Sequence, residues 1–102
     1  QDSVVSDKDF PRNARESIFY LYKSLMRLLE RITRKFISPH HTFREFAYEN
    51  SKILGPLYRH FFELTKIVEK LRYSKYSPDE RDMIICKQLS SNIEAGLKNR
   101  NG

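Results

Sequence analysis

The chain of 102 residues has room for one small domain with a single modest core. Its only cysteine, Cys86, excludes an internal disulfide and any metal site built on several thiolates. The formal charge of +6 is uneven, because residues 11–36 contain seven basic and two acidic side chains, a net of +5, which makes the first long segment the basic one.

Residues 1–10 have no helical period and are rich in Ser and Asp, which predicts a disordered or linking lead-in. A helix is expected to follow, with Asp9 or Phe10 before its first turn and Pro11 within it, where the missing N–H is not needed. From Ile18 on, apolar residues recur at steps of three and four, the pattern of one buried helix face. This face consists of Ile18, Leu21, Tyr22, Leu25, Leu28, Leu29, Ile32 and Phe36.

Ser38-Pro39 is expected to stop this helix, because a residue before proline is disfavoured in the α region. Thr42 and Glu45 then form a Thr-x-x-Glu capping box, in which each side chain satisfies a backbone amide at the start of a short second helix. Gly55-Pro56 is predicted to end the second helix and to begin the third. The buried side of the second helix is predicted to be Phe43, Phe46, Ala47 and either Ile53 or Leu54.

Two longer helices follow. Residues 73–76 interrupt the apolar period, and Ser77 with Glu80 is predicted to form a second capping box, with Pro78 in the first turn. The third helix is expected to bury Leu57, Phe61, Leu64, Val68 and Leu71, widened by Tyr58, Phe62 and Ile67. The fourth is expected to bury Ile85 or Cys86, then Leu89, Ile93 and Leu97.

No segment alternates apolar and polar residues over the length of a strand, so the chain is predicted to be all-α. We expect a small bundle of four helices, with a long basic first helix, a short second helix and two longer C-terminal helices. The bundle is predicted to occupy residues 11–98 as one domain. A polar frayed tail is expected at residues 99–102.

The histidines are the first candidates for chemistry. His40 and His41 are adjacent and point in different directions, and His60 lies on another predicted helix. Glu45 already belongs to the capping box, and a buried neutral thiol at Cys86 is inert. The sequence also lacks a glycine-rich phosphate loop and a nucleophile elbow. We therefore predict no enzymatic activity, metal site, cofactor or small-molecule substrate.

The basic first helix is the strongest remaining functional signal. Its cations recur at helical spacing and form a band beside or opposite the apolar stripe. Such a band suits nucleic acid phosphates, anionic lipid headgroups or an acidic protein surface, while the simpler interpretation is a solvated face. Nucleic acid is the less favoured partner, because no recognised nucleic-acid-binding motif is present. The band consists of Lys23, Arg27, Arg31, Arg34 and Lys35.

The second half of the chain resembles a known family in the segments TFREFAYE and GPLYRHFFELTKIVEKLRYSKYSPDE. The matching positions are Thr42 and Glu45, then Leu64, Thr65, Arg72 and Tyr73, then Ser77 and Glu80. They resemble the domain of unknown function at the C-terminal end of membrane-anchored transglutaminase-like proteins. With the preceding basic helix, the resemblance covers about residues 15–97. The family often has a glycine where Ser74 stands in this chain.

The resemblance implies a location and not a reaction. In such proteins this domain follows the last transmembrane helix, faces the cytoplasm and carries no catalytic residues. We therefore expect a non-catalytic cytoplasmic domain that contacts another protein, the membrane segment of its own parent chain, or anionic lipid. The net charge of +5 on residues 11–36 agrees, since basic residues gather near the cytoplasmic ends of spans. The alternative is a free-standing basic helical module that binds nucleic acid.

The piece itself is expected to be soluble, because no apolar run approaches the about 20 residues of a membrane span. Since it begins at Gln1 and not with Met, we expect it to have been processed or cut out of a longer protein, and any membrane anchor to lie in the missing part. Arg72 and Tyr73 have two interpretations. In one, Tyr73 packs at the bundle edge while Arg72 pairs with a helix C-terminus or an acid such as Glu69; in the other, both belong to a partner-binding surface.

Overall fold

The structure, a computed structural model, describes residues 13–36 and 41–101. Within these ranges the chain forms helices and no strands, which confirms the predicted all-α bundle of four helices. The helices are α1 (Ala14–Thr33), α2 (Phe43–Glu49), α3 (Tyr58–Tyr73) and α4 (Glu80–Asn101). A short helix, Ser51–Leu54, and a 3-10 turn, Gly55–Leu57, connect α2 to α3. The predictions for residues 1–10, Pro11, Ser38-Pro39, His40 and Gly102 fall outside the described residues.

The core lies where the three long helices meet. α1 packs against α4 and α3, α3 also packs against α4, and α2 covers one side of α3. The predicted periodicity holds in α1, α3 and α4, whose buried apolar side chains lie three, four or seven residues apart. Each large apolar side chain contributes about 1.5–3 kcal/mol gross on burial. The core includes Ile18, Tyr22, Leu25, Leu29, Phe46, Leu54, Phe61, Leu64, Val68, Leu71, Cys86, Ile93 and Leu97.

The first helix is shorter than predicted at both ends. It begins at Ala14, because Asn13 is extended and its side chain accepts a hydrogen bond of 2.8 Å from the amide of Glu16. It ends at Thr33, whose hydroxyl donates to the carbonyl of Leu29 and accepts from the amide of Lys35. These local bonds compete with continuation of the helix. Arg34 then turns into the left-handed region at φ 61°, so the predicted helix through residue 36 is wrong.

The capping box predicted for the second helix is confirmed. Thr42 is extended, its side chain accepts from the Glu45 amide at 3.1 Å, and the Glu45 carboxylate accepts from the Thr42 amide at 2.9 Å. The chain turns at Asn50, between α2 and the short helix that follows, and the side-chain amide of Asn50 donates to the carbonyl of Phe46. Leu54, not Ile53, is the fully buried member of the predicted pair.

The second predicted capping box is wrong in its register. α4 begins at Glu80, and Asp79 takes the capping position that the sequence analysis assigned to Ser77. The Asp79 carboxylate accepts from the Asp82 amide at 2.9 Å, and the Asp82 carboxylate accepts from the Asp79 amide at 3.0 Å. Tyr76 joins this cap, because its hydroxyl donates to the same Asp82 carboxylate.

The link between α3 and α4 is held by side chains at both ends. Ser74 donates to the carbonyl of Lys70 and accepts from the amide of Tyr76. The Lys70 ammonium lies 4.1 Å from the centre of the Tyr76 ring, a cation–π contact. Of the two predicted alternatives in α4, Cys86 and not Ile85 faces the core, and the helix extends to Asn101.

Candidate interaction surface

The predicted basic band begins on the outer face of α1. Lys23, Arg27 and Arg31 are all exposed, and successive members are four residues apart, so each turns by only about 40° from the last. Arg27 lies about 170° around the helix from the mean direction of the buried side chains, which places the band opposite the core. Within the described part of the chain, none of the three enters an ion pair.

The remaining two predicted cations are exposed but do not continue the helical row. Arg34 is the left-handed residue that ends α1, and Lys35 follows it outside the helix. The backbone turn also leaves Phe36 exposed, although this residue was predicted to belong to the buried stripe. It is 84% exposed, because the helix whose period would have turned it inward has already ended.

Phe36 is therefore a residue of this surface that sequence reasoning missed. Together with Arg27 and Arg31 it lines an open groove on the outside of α1, completed by Ser24 and Glu30. A signal for it existed only in Thr33, whose hydroxyl can bond to the backbone and end a helix. The result is an exposed aromatic ring beside two guanidinium groups.

Arg72 and Tyr73, the other two predicted surface residues, lie at the end of α3 and behave differently from each other. The Arg72 guanidinium lies 5.9 Å from the centre of the Phe43 ring on α2. It does not pair with Glu69, because that carboxylate is held by Arg44, whose Nε donates to both oxygens at 2.9 and 3.0 Å. Arg72 thus has a structural contact, as its first interpretation required, but with an aromatic ring instead of an acid.

Tyr73 does not pack at the bundle edge, since 72% of its surface is exposed. The structure does not join these two residues to the α1 band: among the contacts of the described residues, Arg72 is linked to α2 and Tyr73 is left in solvent. The predicted interaction residues therefore fall into two groups, the α1 face with its following turn and the end of α3.

Of the two adjacent histidines, the structure describes His41, and this residue has a specific partner. His41 precedes α2, and its Nε2 lies 2.9 Å from a carboxylate oxygen of Glu49 at the far end of that helix, while its buried Nδ1 has no hydrogen-bond partner among the described residues. Glu45 is bound to the Thr42 amide, so it does not face the imidazole. In the ranges 13–36 and 41–101, no group of three or more His, Cys, Asp or Glu side chains is placed to hold a metal ion.

The lone cysteine is a core residue, as predicted from its helical position. Cys86 has no exposed surface, and burial, with a smaller contribution from the charge of Asp82, raises the pKa of its thiol to about 11. A thiol of this kind is almost wholly protonated near neutral pH and is a poor nucleophile.

No protein-family model, curated protein or solved structure shows a significant match to the chain. The functional argument therefore depends on the geometry above. Of the helices that the structure describes, none is both long and apolar enough to cross a bilayer.

Proposed function

We propose that this chain is a non-catalytic helical domain on the cytoplasmic side of a membrane-anchored, transglutaminase-like protein, and that it rests on the anionic membrane surface. The observation that carries the proposal is the outer face of α1. Lys23, Arg27 and Arg31 form an exposed row opposite the core, and Phe36 lies exposed beside the last two.

The chemistry of this face suits lipid headgroups. Each Lys or Arg near an anionic leaflet contributes roughly 1 kcal/mol, so the three side chains of the row supply about 3 kcal/mol, a factor of about 100 in partitioning. An exposed aromatic ring favours the boundary between headgroups and acyl chains. Arg34 and Lys35, both exposed, add charge next to the ring. The resemblance described above supplies the proposed cytoplasmic location and the parent protein.

Vesicle binding tests the surface. We expect the domain to co-sediment with vesicles that contain about a third anionic lipid, to dissociate as salt is raised, and to ignore purely zwitterionic vesicles. The double variant Arg27→Glu and Arg31→Glu should lower partitioning at least about tenfold. Arg59→Glu with Lys75→Glu is the matched control, since both residues are exposed, lie off α1 and change the net charge equally. Equal losses in the two variants would reduce the effect to net charge and contradict a specific face.

The same salt series with duplex DNA tests the alternative, a nucleic-acid-binding module. Tight DNA binding with a steep salt slope, and no binding to vesicles, would overturn the membrane proposal. Binding to neither would leave the band as a solvated face. Membrane anchoring has a separate test, which is to read the sequence encoded upstream of Gln1. We expect an apolar span of ~20 residues there, within a few dozen codons. Its absence would contradict membrane anchoring.

A further inference from the structure

The outer face of α4 differs from the rest of the surface in carrying no charge along its middle. Four exposed residues follow one another there at steps of three and four, on the side opposite the buried Cys86 and Ile93. The four residues are Ile84, Gln88, Ser91 and Ala95.

Isoleucine is concentrated at the N-terminal end of this face. Ile84 is 61% exposed, and its neighbour Ile85 is exposed at the face's edge. Neither side chain contributes to the core, which takes Cys86 from this turn. Two adjacent exposed isoleucines in a small domain are apolar area that a partner can bury.

One edge of the face carries charges of alternating sign. From the N-terminal to the C-terminal end the order is acid, base, acid, base, supplied by Glu80, Lys87, Glu94 and Lys98. The steps between these groups are seven, seven and four residues, which keeps all four within about 40° of one another around the helix and so in one row. The last two form an ion pair of 3.1 Å within the chain.

The charges of this row are complementary to those of a second copy only when the two helices run antiparallel. In an antiparallel copy the order becomes base, acid, base, acid, which places Glu80 opposite Lys98 of the second copy and Lys87 opposite its Glu94. In a parallel two-fold pair the two rows lie on opposite sides of the contact, so they do not face each other. The midpoints of the two antiparallel pairs differ by about 1.5 residues, or about 2 Å along the helix, within the reach of lysine side chains. The same two-fold axis sets Ile84 against Ala95 of the second copy.

We propose that the outer face of α4 is a self-association surface, on which a second copy of this chain docks antiparallel about a two-fold axis. A two-fold contact closes on itself, so it yields a dimer and no larger polymer. The formal charge of +6 makes two copies repel each other overall, whereas this face is neutral at its centre and self-complementary at one edge. The proposal is independent of membrane binding, because that function uses α1.

Sedimentation velocity of the purified chain tests this proposal. We expect a concentration-dependent equilibrium between monomer and dimer, and a chain that stays monomeric up to about 1 mM, the weak limit of specific association, overturns it. Ile84→Arg should abolish the dimer, because it places a cation against Ala95 of the second copy at each of the two symmetric ends of the contact. Tyr48→Arg is the matched control, since Tyr48 is 73% exposed on α2, and it should leave dimerisation unchanged.

A charge exchange tests the antiparallel pairing directly. Lys87→Glu should raise the dimer Kd about tenfold, because it sets acid against acid twice across the axis. Adding Glu94→Lys should restore the wild-type Kd to within about threefold, since the pair is then inverted but complementary. A double variant no better than the single one overturns the pairing. Circular dichroism checks folding, and because Lys87 is exposed, the exchange remains decisive even if Ile84→Arg fails to fold.

Discussion

The hydroxyl of Tyr22 on α1 donates a hydrogen bond of 2.7 Å to the side-chain oxygen of Thr65 on α3, in the centre of the core. The direction follows from a second bond: the Thr65 hydroxyl donates its only proton to the carbonyl of Phe61 at 2.8 Å, so it must accept from Tyr22. Burial raises the pKa of Tyr22 above its ordinary range, which keeps the phenol protonated as a donor.

This direction predicts unequal effects of two variants on stability. Thr65→Val leaves the buried Tyr22 hydroxyl without an acceptor and should lower the free energy of unfolding by about 1–3 kcal/mol. Tyr22→Phe removes the donor but leaves Thr65 bonded to the backbone, and should cost about 0.5–1.5 kcal/mol. Urea unfolding measures both. A larger loss for Tyr22→Phe than for Thr65→Val would mean that the bond runs the other way.

The register of the α4 cap gives a second prediction. Asp79→Ala removes the acceptor for the Asp82 amide and should cost about 0.5–2 kcal/mol of stability, as Thr42→Ala should at the start of α2. Ser77→Ala is the matched control and should change stability by less than about 0.5 kcal/mol. Thermal or urea unfolding of the three variants measures this difference. Equal losses for Ser77→Ala and Asp79→Ala would restore the register predicted from the sequence.

The same cap predicts a dependence on pH. The hydrogen bond from Tyr76, followed by that from the Asp79 amide, lowers the pKa of Asp82, so the folded state favours the carboxylate. The resulting stability is present above the unfolded pKa of about 3.9 and is lost as the pH falls through the lower folded value. In an NMR titration, Tyr76→Phe should raise the pKa of Asp82. An unchanged pKa would show that the Tyr76 bond does not hold the cap.

Gly96 predicts a coupling between α4 and the turn before α3. A Cβ at this position would lie 2.7 Å from Cδ1 and 2.9 Å from Cδ2 of Leu57, closer than packed carbon atoms approach. Because the clashing atoms are the methyl ends of a flexible, half-buried side chain, Leu57 can move aside, so Gly96→Val should cost only about 1 kcal/mol of stability, despite the better helix propensity of valine. In a Leu57→Ala background the same change should cost at least about 0.5 kcal/mol less. Additive losses in this double-mutant cycle would show that the contact imposes no strain.

The helices themselves were predictable because burial of one face imposes a period on the sequence. The spacing of Phe61, Leu64, Val68 and Leu71 by three and four residues is typical of one buried helix face, and all four side chains are fully buried. The Thr42 and Glu45 pair was predictable for a similar reason, since both halves of the capping box lie within one turn of the chain.

The exact ends of helices were less predictable, because several neighbouring residues offer equivalent local bonds. Ser77 and Asp79 both precede an acid at the required spacing, and the tertiary contacts of Tyr76 with Lys70 and Asp82 accompany the choice of Asp79. Arg34 presented no sequence sign of a left-handed turn, which only glycine and asparagine adopt easily. The exposure of Phe36 follows from that turn.

The amino-acid sequence alone determined the number and order of the four helices, most of their buried faces and the placement of Lys23, Arg27 and Arg31 along α1. Those features depend on residues within a few turns of one another. The tertiary structure decided which of Ile85 and Cys86 points inward, because the two differ by about 100° of helix rotation and only packing against α1 and α3 selects one. That rotation turns Ile84 outward, and it leaves on α4 an uncharged face that the sequence analysis had not distinguished.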